Sequence, residues 1–117
     1  MSDIYTIDFE PSKLSHRQDE LGLEFADLDT AVELMKKEEK MIIAELTLYF
    51  SKNDGYKNIT ELNGYIYSDK KFKDYFDRYE RTLKQRNRAK IRYDSYKIFV
   101  DNLRTKIVNE RTLTKNL

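Results

Sequence analysis

The stretch that decides the fold is LGLEFADLDTAVELMKKEEKMIIAELTLY, residues 21–49. Its apolar positions Leu21, Phe25, Leu28, Val32, Met35, Ile42, Leu46 and Tyr49 advance in alternating steps of four and three, with Glu39 at the one remaining step. Such steps place side chains on one helix face, and an a/d stripe sustained over four heptads is a coiled-coil seam. Leu14 extends the stripe backwards, and Ser51-Lys52-Asn53-Asp54-Gly55 is a turn cluster that closes it. The spacing therefore predicts a helix over 12–51, roughly 60 Å long at 1.5 Å per residue. Pro11 marks its boundary and Ser12 is the expected N-cap. Gly22 costs roughly 1 kcal/mol relative to Ala inside a helix and is read as a bend.

Working outward, residues 52–68 form a connector with a short helix expected from Thr60 to Tyr67, interrupted near Gly64. Ser68 or Asp69 then caps a second long helix over 69–113. That helix opens with Phe72, Phe76, Tyr79 and Leu83, and continues with Ala89, Tyr93, Tyr96, Val100, Leu103 and Ile107. The two stripes are out of phase across Lys84–Arg88, a skip that overwinds a coil or lets a helix change partners. Residues 1–11, with Ile4, Thr6, Ile7, Asp8 and Phe9, read as an extended arm that docks on a neighbour. The last residues, 112–117, are expected to fray.

The fold class that follows is all-α: two long antiparallel helices pairing as a coiled-coil hairpin, with a short helical connector, in one domain of 117 residues. Composition agrees, since 37% charged and 39% hydrophobic residues suit an elongated coil that buries only a stripe. Three Gly and one Pro leave few breaks, and fifteen aromatic residues argue against disorder. An isolated hairpin would leave Phe72, Phe76 and Phe99 exposed, so a homo-oligomer is expected. No apolar run reaches membrane-span length, and the first residues lack a signal-peptide pattern. With no cysteine, a reducing cytoplasm is the expected location.

Enzymatic chemistry finds no footing. His16 is the single histidine and sits in a polar stretch, so a surface role is expected. With no Cys and no second His, the usual zinc sites are excluded. Glu38-Glu39 and the Asp27/Asp29 pair do not face one another on a helix, and the glycines form no phosphate loop. No cofactor and no small-molecule substrate is expected.

Charge is unevenly spread: residues 1–51 hold 12 acidic and 5 basic side chains, and residues 52–117 hold 9 and 17. Opposite halves of this kind can pair with each other. The densest basic run is RTLKQRNRAKIR, residues 81–92, with six basic residues and no acid. Continuing the first stripe from Leu83 puts Arg86 and Lys90 at the seam, where the later stripe uses Ala89. Arg81, Lys84, Arg88 and Arg92 share one helix face. Such a stripe can meet several phosphates, giving salt-sensitive, sequence-independent binding to single-stranded DNA. Pairing with Asp27, Asp29 and Glu33 of the first helix explains the same residues equally well. Tyr75, Tyr79, Tyr93 and Tyr96 fit core packing better than base stacking. Tyr56, Tyr65 and Tyr67 in the connector are the better candidates for an exposed surface.

One resemblance extends this reading. Ala44-Glu45-Leu46, Tyr49 and Lys52-Asn53-Asp54-Gly55 close the first helix, and Thr60-Glu61 lies in the connector. Arg92-Tyr93-Asp94, Leu103-Arg104 and Asn109-Glu110-Arg111-Thr112-Leu113 follow in the second helix. This order of features, over residues 8–113, resembles the UvsY-type recombination mediators of tailed bacteriophages. The resemblance implies a small helical protein that forms a ring and binds single-stranded DNA in the bacterial host cytoplasm. It also implies loading of a recombinase onto strands covered by a single-strand binding protein. In that family basic residues flank the alanine near the end of the first helix, where this chain has Ile43 and Glu45. Binding would then fall to Lys36, Lys37 and Lys40, to Lys52 and Lys57, or to residues 81–92. The competing expectation is a protein–protein adaptor or inhibitor, a phage scaffold or counter-defence factor, with no nucleic-acid role.

Overall fold

The computed structural model describes residues 10–53 and 55–116. Within them the regular structure is helical: α1 (Pro11–Asn53), α2 (Ile59–Ser68) and α3 (Lys70–Asn116), with no strand among the described residues. The arm expected over residues 1–11 lies outside them except for its last two positions. The main-chain contacts gather into two compact units, one of Asp27–Arg86 and one joining the residues up to Ala26 with those from Asn87 onward.

Helix boundaries follow local chemistry. The Glu10 carbonyl accepts the first helical bonds from the N–H groups of Lys13 (3.0 Å) and Leu14 (3.2 Å). Pro11 therefore opens α1, where its missing N–H costs nothing, and Ser12, expected as the cap, is already inside the helix. At the far end the Gly55 N–H donates to Phe50 O at 2.9 Å, and Gly55 takes φ +67, a region open to glycine. Asn58 caps α2 by accepting from the Glu61 N–H at 2.9 Å. α2 runs through Gly64 without the expected interruption. Asp69 serves two helices: its N–H donates to Ile66 O at the end of α2, and its carboxylate accepts from the Lys71 N–H at the start of α3. Helix α3 continues to Asn116, so the tail expected to fray is helical up to that point.

In the unit Asp27–Arg86, Ile42, Leu46, Phe50, Leu62, Ile66, Phe72 and Tyr75 form the buried core, with Met35, Ile43 and Tyr79 packed against it. Full burial of one such side chain is worth about 1.5–3 kcal/mol. Leu62 and Ile66 bring α2 into this core, and α2 changes which residue closes the α1 stripe. Phe50 is buried and its ring packs on Tyr65 at 5.4 Å, whereas Tyr49, the expected seam residue, is 54% exposed. An α-helix has 3.6 residues per turn, so a 3.5-residue repeat drifts around it, and here the drift carries the stripe one residue onward.

A second correction concerns α3. Tyr75 is 1% exposed while Phe76, expected on the seam, is 45% exposed; Phe72, which opens the expected stripe, is buried. Polarity makes Tyr75 the less obvious choice, but its hydroxyl donates to Met35 O at 2.7 Å, so the ring is buried with its polar tip satisfied. With Tyr75 in place, one line of buried and half-buried positions follows α3 through Phe72, Tyr75, Tyr79, Thr82, Arg86, Ala89, Tyr93, Tyr96, Val100, Leu103 and Ile107. Its steps alternate three and four throughout, and Leu83, expected on the seam, is half-buried beside it. The phase skip expected across Lys84–Arg88 is absent; Thr82 and Arg86 carry the seam through it.

In the other unit, Leu14, Leu21, Ala89 and Val100 are buried. Gly22 marks a close approach rather than a bend: a Cβ there would lie 3.2 Å from Cε1 of Tyr93. The Tyr93 ring also stacks on Phe25 at 6.4 Å and carries the Lys97 ammonium 4.5 Å from its centroid.

The buried tyrosine yields a pair of predictions. Tyr75→Ala will cost about 3–5 kcal/mol in urea unfolding, against under about 1 kcal/mol for Phe76→Ala. Burial, with the Glu39 and Glu38 carboxylates nearby, pushes the Tyr75 hydroxyl from 10.0 up to about 12. The unfolded chain therefore releases this proton first. Its contribution to stability is complete below pH 10 and is lost as pH rises toward about 12. Tyr75→Phe will flatten that alkaline fall, measured as urea midpoints across the same pH range.

Candidate nucleic-acid interface

All six basic residues of the run 81–92 lie on α3, and the seam decides their surroundings. Within the unit Asp27–Arg86, Arg86 occupies a seam position and its Nε donates to Asp29 Oδ1 at 2.9 Å, with the side chain 30% exposed. Arg81 and Lys84 are exposed and have no acidic partner among the described residues. In the other unit Arg92 meets Glu24 at 2.6 Å and Lys90 meets Asp94 at 2.9 Å. Lys90, helped by Lys97, holds the Asp94 carboxyl below its usual value. Arg88 is exposed and, like Arg81, has no acidic partner among the described residues. The run thus divides into three cations paired with carboxylates of the chain and three with no acidic partner among the described residues.

The engaged ones belong to a wider pattern. Within Asp27–Arg86, the pairs Glu45–Lys71, Glu38–Arg78 (2.7 Å) and Asp29–Arg86 each set an acid of α1 against a base of α3. As the α1 number falls from 45 to 29, the α3 number rises from 71 to 86, the order of segments running in opposite directions. The pair of the other unit, Glu24–Arg92, repeats the polarity. Every side chain in these pairs is at least 30% exposed, and exposed pairs are worth roughly 0–1 kcal/mol each. Their larger effect is on register, because a slip would set like charges together. Of the acids expected to meet the run, Asp29 does so and Glu33 instead bonds Lys36 at 3.1 Å. Glu24 is not among the expected acids, although it continues the same descending order.

Arg81 also lines a shallow groove of about 400 Å³ with Met35, Arg78, Thr82 and Gln85. The Arg78 guanidinium lies 5.8 Å from the Tyr75 ring centroid and is held further above its usual range by the hydrogen bond to Glu38. Two guanidiniums, an amide and a hydroxyl around one thioether can hold an anionic group against an apolar floor. Nothing in the spacing of Met35 and Gln85 announces that grouping.

The remaining candidates are dispersed. Lys52, in the last turn of α1, and Lys57, before α2, are exposed, as are Lys37 and Lys40. Ile43 is half-buried on the core and Glu45 is engaged by Lys71. Tyr65 donates from its hydroxyl to Glu61 at 2.8 Å, and Tyr67 packs edge-on against Phe72. Tyr56 is exposed. Tyr79, Tyr93 and Tyr96 are half-buried along the seam. His16 is exposed and bonds Glu20 at 2.8 Å. Among the described residues, no three His, Cys, Asp or Glu side chains gather in metal-binding geometry, and no helix is long and apolar enough to cross a membrane. No family model, curated protein or solved structure matches the chain.

The division of the run has a direct consequence for stability. Arg86→Ala will cost about 1–2 kcal/mol in urea unfolding, through a lost partner for Asp29 and lost seam packing. Arg81→Ala, Lys84→Ala and Arg88→Ala will each stay within about 0.5 kcal/mol of the parent.

Proposed function

We propose that this protein is a non-enzymatic, self-associating coiled-coil hairpin that binds single-stranded DNA through Arg81, Lys84 and Arg88. One observation supports the reading: these three cations form no ion pair among the described residues while Arg86, Lys90 and Arg92, in the same run, are engaged. Cations without an ion-pair partner are available to phosphates, and a backbone-only contact needs no base-reading geometry. Lys52 and Lys57 are secondary contacts for a longer strand. The resemblance to UvsY-type mediators then gives the biological setting: a phage recombination or replication accessory factor in the bacterial host cytoplasm. There it would help a recombinase displace a single-strand binding protein. Because Ile43 and Glu45 stand where that family carries basic residues, the contact moves to α3. Self-association would use the apolar side chains that face solvent, among them Phe76 and the heptad-spaced Leu34, Met41 and Leu48.

Those same outer residues favour the alternative, a protein–protein adaptor or inhibitor without a nucleic-acid role. Fluorescence anisotropy with labelled single strands across a salt series separates the two. On the DNA reading, affinity falls with salt at a log–log slope of about −2, for three phosphate contacts on a single strand. The triple variant Arg81→Ala, Lys84→Ala, Arg88→Ala abolishes binding at low salt. Absence of binding by the parent protein, or a triple variant that binds equally well, would leave the adaptor. A concentration-independent monomer in sedimentation would overturn self-association.

A further inference from the structure

The groove beside Arg81 lies within the unit Asp27–Arg86, and its five lining residues divide by chemistry. Met35 packs against the core and gives the groove an apolar surface. Arg78 is already engaged: Glu38 holds its guanidinium at 2.7 Å, and the Tyr75 ring centroid lies 5.8 Å away. It therefore offers a fixed flat face rather than a free charge. Arg81 is the one cation of the groove without an ion pair among the described residues, and no carboxylate lines it. Thr82 and Gln85 complete the lining. On the long helices the hydroxyls of Thr47, Ser51, Thr105 and Thr112 turn back to the carbonyl four residues earlier. Thr82 is half-buried on the seam and makes no such bond among the described residues. The Gln85 amide, three residues on along the same helix face, has no partner there either. A hydroxyl and an amide thus stand together unpaired beside an unpaired guanidinium.

We propose that this groove seats one unpaired base of a single strand whose adjoining phosphate is held by Arg81, an inference that rests on the DNA-binding reading. The charge matches, since the single unpaired guanidinium meets the single negative charge of a phosphodiester. The surfaces match as well. A polarizable thioether and a guanidinium plane held in place by Glu38 both accept the flat face of a base. The polar groups decide between a base and an acidic side chain. Gln85 and Thr82 each donate and accept hydrogen bonds, and the edge of a base presents donors and acceptors side by side. A carboxylate only accepts, so an acidic peptide would leave half of that capacity unused. The volume, about 400 Å³, falls within the range of small-ligand clefts. Seating a base here would also give the half-buried Thr82 hydroxyl a partner.

Fluorescence anisotropy at low salt, with two labelled strands of equal length, tests this seat. One strand carries its bases and the other is abasic throughout. The full-length protein should bind the base-bearing strand at least about fivefold more tightly, the lower end of what one stacked base contributes. Gln85→Ala and Thr82→Val should each erase most of that difference and leave the affinity for the abasic strand unchanged. Arg81→Ala should weaken both strands by the same factor. Gln85 is exposed and Val keeps the β-branched shape of Thr, so far-UV circular dichroism should find the helices of both variants intact. Equal affinity of the parent protein for the two strands would overturn the base seat and leave the phosphate contact standing. Binding of neither strand would overturn both. A preference for bases that survives in both variants would place the base elsewhere and equally overturn the seat. Displacement of the strand by a polyglutamate peptide as readily as by unlabelled strand would assign the groove to an acidic peptide instead.

Discussion

Burial along one narrow stripe per helix is the constraint on which the other features depend. More than a third of the side chains are charged, so there is too little apolar surface to enclose a thick core. What there is must be shared between facing helices along a 3-4 spaced line. Tyr75 illustrates how closely the line is held. A tyrosine is buried and a neighbouring phenylalanine left exposed, because only the former lies on the line and finds an acceptor, the Met35 carbonyl. Position overrides hydrophobicity at this point, since moving the stripe by one residue would displace every later contact of α3.

The same constraint sorts the charges. A basic residue on the stripe or at its edge meets the acidic face of α1 and is used internally, as Arg86 and Arg92 are. Arg81, Lys84 and Arg88 are exposed and make no such pair among the described residues. The two explanations of the basic run, internal pairing and an external anion, therefore apply to different members of it. Individual pairs contribute little energy at this exposure. Their repeated polarity, acid on α1 and base on α3, opposes slipped registers and supports the antiparallel order of contacts.

Much of the helical content is legible in the residues. The stripe from Leu21 to Leu46, the turn at Gly55 and the cap at Asp69 each rest on local chemistry. The departures along the seam have two causes. Phe76 and the expected phase skip come from giving the more apolar of two neighbours the seam position. Tyr49 comes from holding a strict 3.5-residue spacing past the point where the stripe moves on to Phe50. With Phe76 chosen, Leu83 follows and the stripe breaks; with Tyr75 chosen, Thr82 and Arg86 follow and it does not. Gly22 departs for a related reason, because the ring that needs its missing Cβ is Tyr93, 71 residues along the chain.

By itself, then, the sequence determined that the chain is helical, where its helices begin and end to within a few residues, and that its halves carry opposite charge. These depend on periodicity, capping and composition, all of which act over a few neighbouring residues. Only the tertiary structure decided which of two adjacent aromatics enters the core, which glycine is a contact, and which arginines are engaged. Those outcomes depend on what lies across the helix pair. A carbonyl at Met35 or a carboxylate at Glu24 is invisible from a position some 40 to 70 residues away.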